Sequence, residues 1–463
     1  MKRVFAFLLL YVANVLILVK IKKGIKMKIL VVGSGGREHA ICLQLSKSPK
    51  IERIYCAPGN GGTLNVAQNI DILVTDFDKL AAFAKENDID FTFVGPETPL
   101  SYGIVDYFES RGLKVIGPSR YAAKLESSKI YAKKFMQKYN IPTARYNSFE
   151  KITDAIKFVE SLNKDKKIVI KADGLAAGKG VYICNNREDA FYILKHVIEN
   201  YKTSGDLWKN IIFEEYIDGP ELSYLIFTDG VSYSMMPASQ DHKRLNDGNK
   251  GPNTGGMGAY VPVPFLATKE LNKKIEIDII RKLISGIKSE KLDYKGVLYV
   301  GIILCNSSPH VLEFNCRFGD PEAQALLPLL DTDLVDICNA ILDKKLSSIK
   351  IKWKKKFSIC LVLVSGGYPG YFEKKVEIKG LNSINDKFTT VFHAGTQFYN
   401  GRFITSGGRV LGITSVSEDI KSAVDKVYSS AKLVSFKNMH YRKDIGRNLL
   451  KFLKKESEGI PSE

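Results

Sequence analysis

The stretch Val311-Leu-Glu-Phe-Asn-Cys-Arg-Phe-Gly-Asp-Pro-Glu322, within the longer run Ile303 to Leu327, decides how the rest of the chain is read. In an extended strand successive side chains point to opposite faces. Taken as a strand, Val311 to Arg317 puts Glu313, Asn315 and Arg317 on one face and Leu312, Phe314 and Cys316 on the other. A carboxylate, an amide and a guanidinium in a row suit a hard cation and an anion better than a core. Mg²⁺ takes oxygen ligands, commonly one or two carboxylates plus substrate phosphates, and the planar guanidinium fork fits a carboxylate or phosphate. An edge strand with a solvated polar face would show the same alternation, so the neighbouring segments must decide.

At 463 residues the chain is too long for one core, and about two to four domains are expected. A hydrophobic fraction of 45% and a charged fraction of 25% are those of a globular protein. The net charge of +18 favours anionic ligands. The lysines are scattered, with 350–356 the densest run and no aromatic-interleaved stripe, so a small anionic substrate is expected and nucleic acid is not. Seven cysteines stand singly, mostly in apolar runs, without a CxxC or Cys/His cluster; they read as reduced buried thiols, not as disulfides or a zinc site.

Val4 to Val19 is an apolar run between Lys2-Arg3 and a lysine group ending at Lys26. It has the parts of a signal or anchor but no clear small-residue cleavage site, and it is short of the about 20 residues that a span needs. Residues 1–26 are therefore read as an extension without functional consequence, with an anchor or an organelle leader as alternatives. A cytoplasmic monomer is expected, touching membrane only if residues 1–26 are retained.

Lys28–Val32 reads as a first strand running into Gly33-Ser-Gly-Gly-Arg-Glu-His39 and a helical pattern. Strand, glycine turn and helix N-terminus make an anion site. The dinucleotide fingerprint wants a third glycine where Glu38 stands, which argues against a nicotinamide enzyme. Phe91–Val94 and Lys114–Ile116 each end in Gly-Pro loops, and the alternation implies a small parallel sheet. Ser127-Ser128 can cap a helix from Lys129 to Tyr139. Lys129 in its first turn opposes the helix dipole, which asks for a nearby anion.

Lys167–Ile170 and Val181–Cys184 flank Lys171-Ala-Asp-Gly-Leu-Ala-Ala-Gly-Lys-Gly180, a small-residue loop able to close on polyphosphate. It is not a Walker loop, because Gly-Lys is followed by Gly180. Ile211–Ile217 reads as a strand whose backbone can meet an adenine edge, with Glu221 near the ribose. Asp247 to Gly258 is too glycine-rich for helix or ordinary strand and reads as a functional loop. Beyond Lys355 the pattern turns to short strands and one helix, a small C-terminal α+β domain expected to pack back on the site.

The blocks GSGGREHA, GPE, KADGLAAGKGV, SQDHKR, GPNTGGMGAY and EFNCRFGDPE, in this order, resemble the phosphoribosylamine–glycine ligase (glycinamide ribonucleotide synthetase) family of ATP-grasp enzymes, from Met27 to about Ile445. The resemblance implies an α/β and α+β multidomain fold: an N-terminal parallel α/β domain (27–128), an ATP-grasp domain (129–350) with a flap at about 146–217 and a C-terminal α+β domain (351–450); the tail (451–463) reads from its own sequence as disordered. It implies ATP-dependent joining of glycine to 5-phosphoribosylamine through a glycyl phosphate. By resemblance Glu313 and Asn315 hold Mg²⁺ or Mn²⁺. Lys129 and Lys171 touch the ATP phosphates under the lid glycines Gly174, Gly178 and Gly180. Glu214, Glu215, Tyr216 and Ile217 take adenine and Glu221 the ribose. Arg317, Asp320 and Lys243 are expected at the chemistry, with Asn253, Thr254 and Gly255 toward glycine. Gly35, Gly36 and Arg37 with Asp241 and His242 are expected at the phosphoribosylamine. Related grasp enzymes carry one more acid on the preceding strand, but Val297–Gly301 has none, which leaves a second metal with fewer ligands. The rival expectations are a membrane-tethered nucleotide-binding protein and a biotin-dependent carboxylase module.

Overall fold

The computed structural model describes residues 26–175, 180–200 and 210–450. The apolar run before Lys26, Gly178 and Lys179 in the lid, and the tail after residue 450 lie outside the described residues.

Five strands open the chain: β1 (Met27–Gly33), β2 (Ile51–Pro58), β3 (Gln68–Asn69), β4 (Phe91–Val94) and β5 (Val115–Pro118). They pair in parallel in the order β3-β2-β1-β4-β5. Parallel sheets are covered on both faces, and β1 accordingly reads as a continuous buried run, Ile29 to Val32. Helix α1 (Gly36–Ser46) follows β1. Helix α2 (Lys129–Lys138) leads out of this unit, and the Ser128 hydroxyl accepts from the Tyr131 N–H at its start, as the capping residue should.

The flap is a separate four-stranded sheet, β6 (Tyr146–Phe149), β7 (Ile168–Ala172), β8 (Val181–Cys184) and β9 (Ile211–Glu215), ordered β6-β9-β7-β8 with its own small core around Val159, Ile170 and Phe213. After it run β10 (Glu221–Thr228), β11 (Tyr233–Met235), β12 (Gln240–Asp241), β13 (Arg244–Asn246), β14 (Lys250–Asn253) and β15 (Gly258–Val261). The stretch expected to be loop throughout thus carries a hairpin: Arg244 pairs with Asn253 and Asn246 with Lys250. Gly251, at φ +81°, supplies a backbone that an ordinary strand residue resists, which is why glycine content alone misread it.

Strand β16 (Tyr294–Cys305) joins the two halves. Its first residues, Tyr294 and Lys295, pair with β5 of the parallel sheet. Its remainder pairs with β10 on one side and with β17 (Ser308–Asn315) on the other. The result is one nine-stranded sheet, parallel at one end and antiparallel at the other. The register of β17 slips between Gly301 and Ile302, so that Glu313 lies opposite Gly301 and Val311 opposite Ile302, with Leu312 the extra residue of a bulge. The expected partition of faces changes accordingly. Phe314 and Cys316 are buried, but Val311 takes the core place expected for Leu312. One residue of slip exchanges the faces of everything on one side of it.

The last sheet is ordered β12-β15-β18-β22-β19, with β18 (Phe357–Val364), β19 (Thr389–His393) and β22 (Arg409–Ser417); the hairpin β20 (Thr396–Tyr399) and β21 (Arg402–Thr405) stands beside it. Two of its strands, β12 and β15, come from the chain that precedes β16, so the C-terminal unit is stitched into the site by backbone pairing. The helix Ile420–Ala431 covers β18 and β22. The seven cysteines are unpaired thiols, all but Cys305 buried. Among the described residues no helix is long and apolar enough to cross a membrane.

Candidate active site

The polar face of β17 meets the flap through lysines. Lys171, at the end of β7, donates to Glu214 Oε2 at 2.8 Å and approaches the bulge carbonyl of Leu312 at 3.5 Å. Lys129 donates to the Gly174 carbonyl at 2.8 Å. The anion that its helix position asked for is Asp173 of the same turn, whose Oδ1 accepts from the Ile130 N–H at 3.2 Å and whose Oδ2 accepts from Ser128 Oγ at 3.3 Å. The flap turn is therefore pinned to the start of α2. Burial, with Lys171 adding to it, lowers the Lys129 ammonium against the pull of Glu313 and Asp173.

Glu313 stands 3.6 Å from Lys243 Nζ, and Glu221 3.8 Å from the same ammonium. Burial would raise the Glu313 carboxyl, but Lys243, Lys171, Lys129 and Arg317 outweigh it and bring it down to about 2. An ionised carboxylate and, two residues on, an amide oxygen form a hard-oxygen donor pair of the kind Mg²⁺ accepts. Asn315 Oδ1 is oriented by Arg317 Nη2 at 3.2 Å. Among the described residues no three His, Cys, Asp or Glu side chains gather as a metal cage. A cation held by this pair would need further oxygens, and a polyphosphate supplies them.

The other charged group lies where β1 meets α1. The carboxylate of Glu38, at the third-glycine position, is buried and turns back to accept from the Gly35 N–H at 2.6 Å. It also pairs with Arg37 Nε at 2.5 Å. It fills the space over Gly33 and Gly95, where an added Cβ would come within 2.4 Å and 2.0 Å of it. The anion site expected at this helix start is thus partly occupied by the protein itself. Arg37 donates to the Phe318 carbonyl at 3.2 Å, and its N–H faces Asp320 Oδ2 at 3.4 Å. Asp320 is held by Gln324 Nε2 at 2.7 Å and by Arg409 Nη2 at 3.4 Å. Burial raises its carboxyl, and Arg409 and Arg37 prevail to lower it. Arg317 is paired with Glu126 at 2.8 Å and Glu97 at 3.3 Å.

The remaining expected residues divide. Asp241 and Lys243 stand near Glu313, Glu221 and Glu322; burial pushes the Asp241 carboxyl up to about 7, with Lys243 opposing and those carboxylates reinforcing. His242, between them, is buried on the other face beside Tyr260, with Nδ1 unpartnered among the described residues and its pKa lowered to about 4 by burial and Arg442. Thr254 caps back on the Lys243 carbonyl at 2.8 Å, and the Gly255 N–H donates to Tyr368 Oη at 2.9 Å. Asn253 ends β14 and lies further out. Glu215 leaves the cleft to pair with Arg145 at 2.9 Å. Tyr216 bonds Asp218, and with Ile217 it forms the link from β9 to β10, packed on β16 so closely that a Cβ at Gly219 would meet the Leu304 carbonyl at 1.9 Å. Gly36 opens α1 against Gln324, and the Gly180 carbonyl accepts from the Ala172 N–H at 2.8 Å.

Sequence reasoning passed over Arg409, Glu126, Lys133 and Tyr368 and gave Glu97 no role. Arg409, from the C-terminal sheet, donates to the Asp320 carbonyl at 2.6 Å and to the Gly255 carbonyl, tying two site loops together. No local pattern marks it; only its Gly-Gly-Arg setting stood out.

Three family descriptions match in succession: the N domain of phosphoribosylglycinamide synthetase over residues 27–126, its ATP-grasp (A) domain over 127–323 and its C domain over 358–448. A phosphoribosylamine–glycine ligase of Caldanaerobacter subterraneus is 46% identical over 421 residues, covering 90% of this chain and 99% of that protein. The crystal structure of the phosphoribosylamine–glycine ligase of Thermotoga maritima superposes with a TM-score of 0.76 at 32% identity, over 90% of this chain and all (100%) of that one. A biotin carboxylase domain of a Hydrogenobacter thermophilus 2-oxoglutarate carboxylase, solved with MgADP, ADP and bicarbonate, shares the fold alone: TM-score 0.67, 15% identity, 89% of this chain and 91% of that one. With lysines from flap and helix converging on the Glu313 face and all three domains matched, the chain belongs to the phosphoribosylamine–glycine ligase family of ATP-grasp carbon–nitrogen ligases.

Proposed function

We propose that this chain joins glycine to 5-phosphoribosylamine at the expense of ATP, in the cleft between the flap, β17 and the turn after β1. A glycine carboxylate oxygen attacks the γ-phosphorus and ADP departs, leaving glycyl phosphate. The amine nitrogen of phosphoribosylamine then attacks the acyl carbon, loses a proton and expels phosphate, so that the amide forms. Phosphoryl transfer of this kind asks a protein mainly for positioning and charge neutralisation.

The observation that carries this reading is the gathering of Lys129, Lys171 and Lys243 around an ionised Glu313. Lys129 and Lys171 take the ATP phosphates, and the end of β9 with the link to Glu221 takes adenine and ribose. Glu313 and Asn315 would hold Mg²⁺ or Mn²⁺, which would supply charge neutralisation at the phosphates. Asp241 and Lys243 face the acceptor amine, while His242 serves through its backbone, whose N–H and carbonyl bond Gly258 and Met257. Arg317 acts by orienting Asn315. Asp320, with Arg37 and the Thr254–Gly255 loop, lines the side where glycine and the ribose phosphate enter.

The deciding experiment measures ADP release from the full chain and from a chain starting at Met27, with glycine, phosphoribosylamine or bicarbonate supplied singly and together. Release that requires glycine and phosphoribosylamine together supports the ligase. Bicarbonate dependence would favour the carboxylase reading that the fold alone permits, and nucleotide binding without turnover would favour a tethered binding protein.

A further inference from the structure

Behind Lys171 lies a second, buried ammonium that the steps above do not use. Lys133, one turn into α2, is 2% exposed. Its Nζ donates to Thr143 Oγ1 at 2.7 Å and to the Ala144 carbonyl at 3.3 Å, and stands 3.3 Å from Glu214 Oε2. That same oxygen accepts from Lys171 Nζ at 2.8 Å, while Glu214 Oε1 has no hydrogen-bond partner among the described residues. One oxygen of a carboxylate 3% exposed is thus shared by two cations.

The place is a junction. Thr143 Oγ1 donates to the Val311 carbonyl at 2.7 Å, and the Val311 N–H donates to the Pro142 carbonyl at 2.8 Å. Helix α2, the link into the flap, flap strand β9 and the Glu313 strand therefore meet around one side chain. A buried ion pair that loses one partner leaves an uncompensated charge, which is strongly destabilising. With Lys171 as its only counter-ion, Glu214 would be stranded whenever Lys171 turned to a nucleotide phosphate.

We propose that Lys133 is a positioning residue for nucleotide binding: it fixes Glu214, through Glu214 sets the Lys171 ammonium, and remains as the counter-charge when Lys171 engages phosphate. This rests on the reading of Lys171 as a phosphate contact. Lys133 is buried and acts only through Glu214 on Lys171, so its effect is confined to ATP.

The test compares full-chain Lys133→Met, Glu214→Gln and their combination, with Lys171→Ala as the control on the underlying reading. Lys133→Met is expected to raise the KM for ATP about tenfold, with kcat and the KM for glycine within about twofold of wild type. In the Glu214→Gln background the same substitution is expected to add less than about twofold, because nothing is left for Lys133 to hold. An unchanged KM for ATP, or an equal penalty in both backgrounds, overturns the inference. If Lys171→Ala leaves the KM for ATP unchanged, the reading of Lys171 fails first and separately. Should Lys133→Met not fold, Lys133→Gln, which keeps a polar side chain but removes the charge, is run through the same pair of backgrounds and decides by the same criteria.

Discussion

The two charged regions of the cleft are built in opposite ways. Around the turn after β1 every guanidinium has a carboxylate: Arg37 meets Glu38, Arg317 meets Glu97 and Glu126, and Arg409 meets Asp320. On the flap side the pairing is shared or longer. Among the described residues no carboxylate lies within ion-pair distance of Lys129, Lys171 shares Glu214 with Lys133, and Lys243 reaches Glu313 and Glu221 only at 3.6 and 3.8 Å. Paired charges set geometry, because breaking a buried pair is costly. Ammoniums whose carboxylates are shared or more distant can turn to an incoming anion, and a polyphosphate is the anion proposed for them. Glycine-rich sequence marks both regions equally; what occupies the turn separates them.

Substitutions can break or sharpen this contrast. The largest effect is expected on the open side: Glu313→Gln should lower kcat by more than about a hundredfold, beyond what outer partners of a metal ligand cost, with thermal unfolding little changed. Wild-type turnover would refute the metal role. Lys171→Ala should raise the KM for ATP about ten- to hundredfold, the worth of one charge-assisted hydrogen bond, measured with glycine saturating. On the paired side, Glu38→Gln should cost stability instead, about 2–3 kcal/mol by chemical denaturation, since Arg37 loses its close counter-charge and one amide oxygen is left for two donors, Arg37 Nε and the Gly35 N–H. If Glu38→Gln proved stable but raised a substrate KM sharply, the division between the two regions would be misdrawn.

The smallest effect concerns pH. Burial raises the Asp241 carboxyl to about 7, so between the usual carboxylate range and about pH 7 the folded chain keeps a proton that the unfolded chain has lost. Stability from this group is therefore full at low pH and falls as pH rises through that window. Asp241→Asn should remove the slope, visible as a difference in Tm between wild type and variant that changes from pH 4 to pH 8. A constant difference would count against the shift.

Much of this was legible before any coordinates. The parallel strands and the capped helix at Ser128 follow from period and capping chemistry, carried by residues close in sequence. The blocks shared with the family carried the reaction. The sequence could not show that Leu312 is a bulge, because register depends on the partner strand. Nor could it show that Asp173 of the flap turn accepts from Ser128 Oγ and the Ile130 N–H at the start of α2, far from it in sequence.

Residue types and short spacings by themselves determined which chemistry was expected of this chain: oxygen donors for a hard cation, ammoniums for phosphate, small residues for a lid. Tertiary structure alone decided which of those groups are already satisfied. Glu38 fills one glycine turn from within, and Arg409 arrives from a sheet that begins far along the chain. Electrostatic pairing acts through a few ångströms of space and is indifferent to sequence separation, so only the folded chain shows which charges are closely paired.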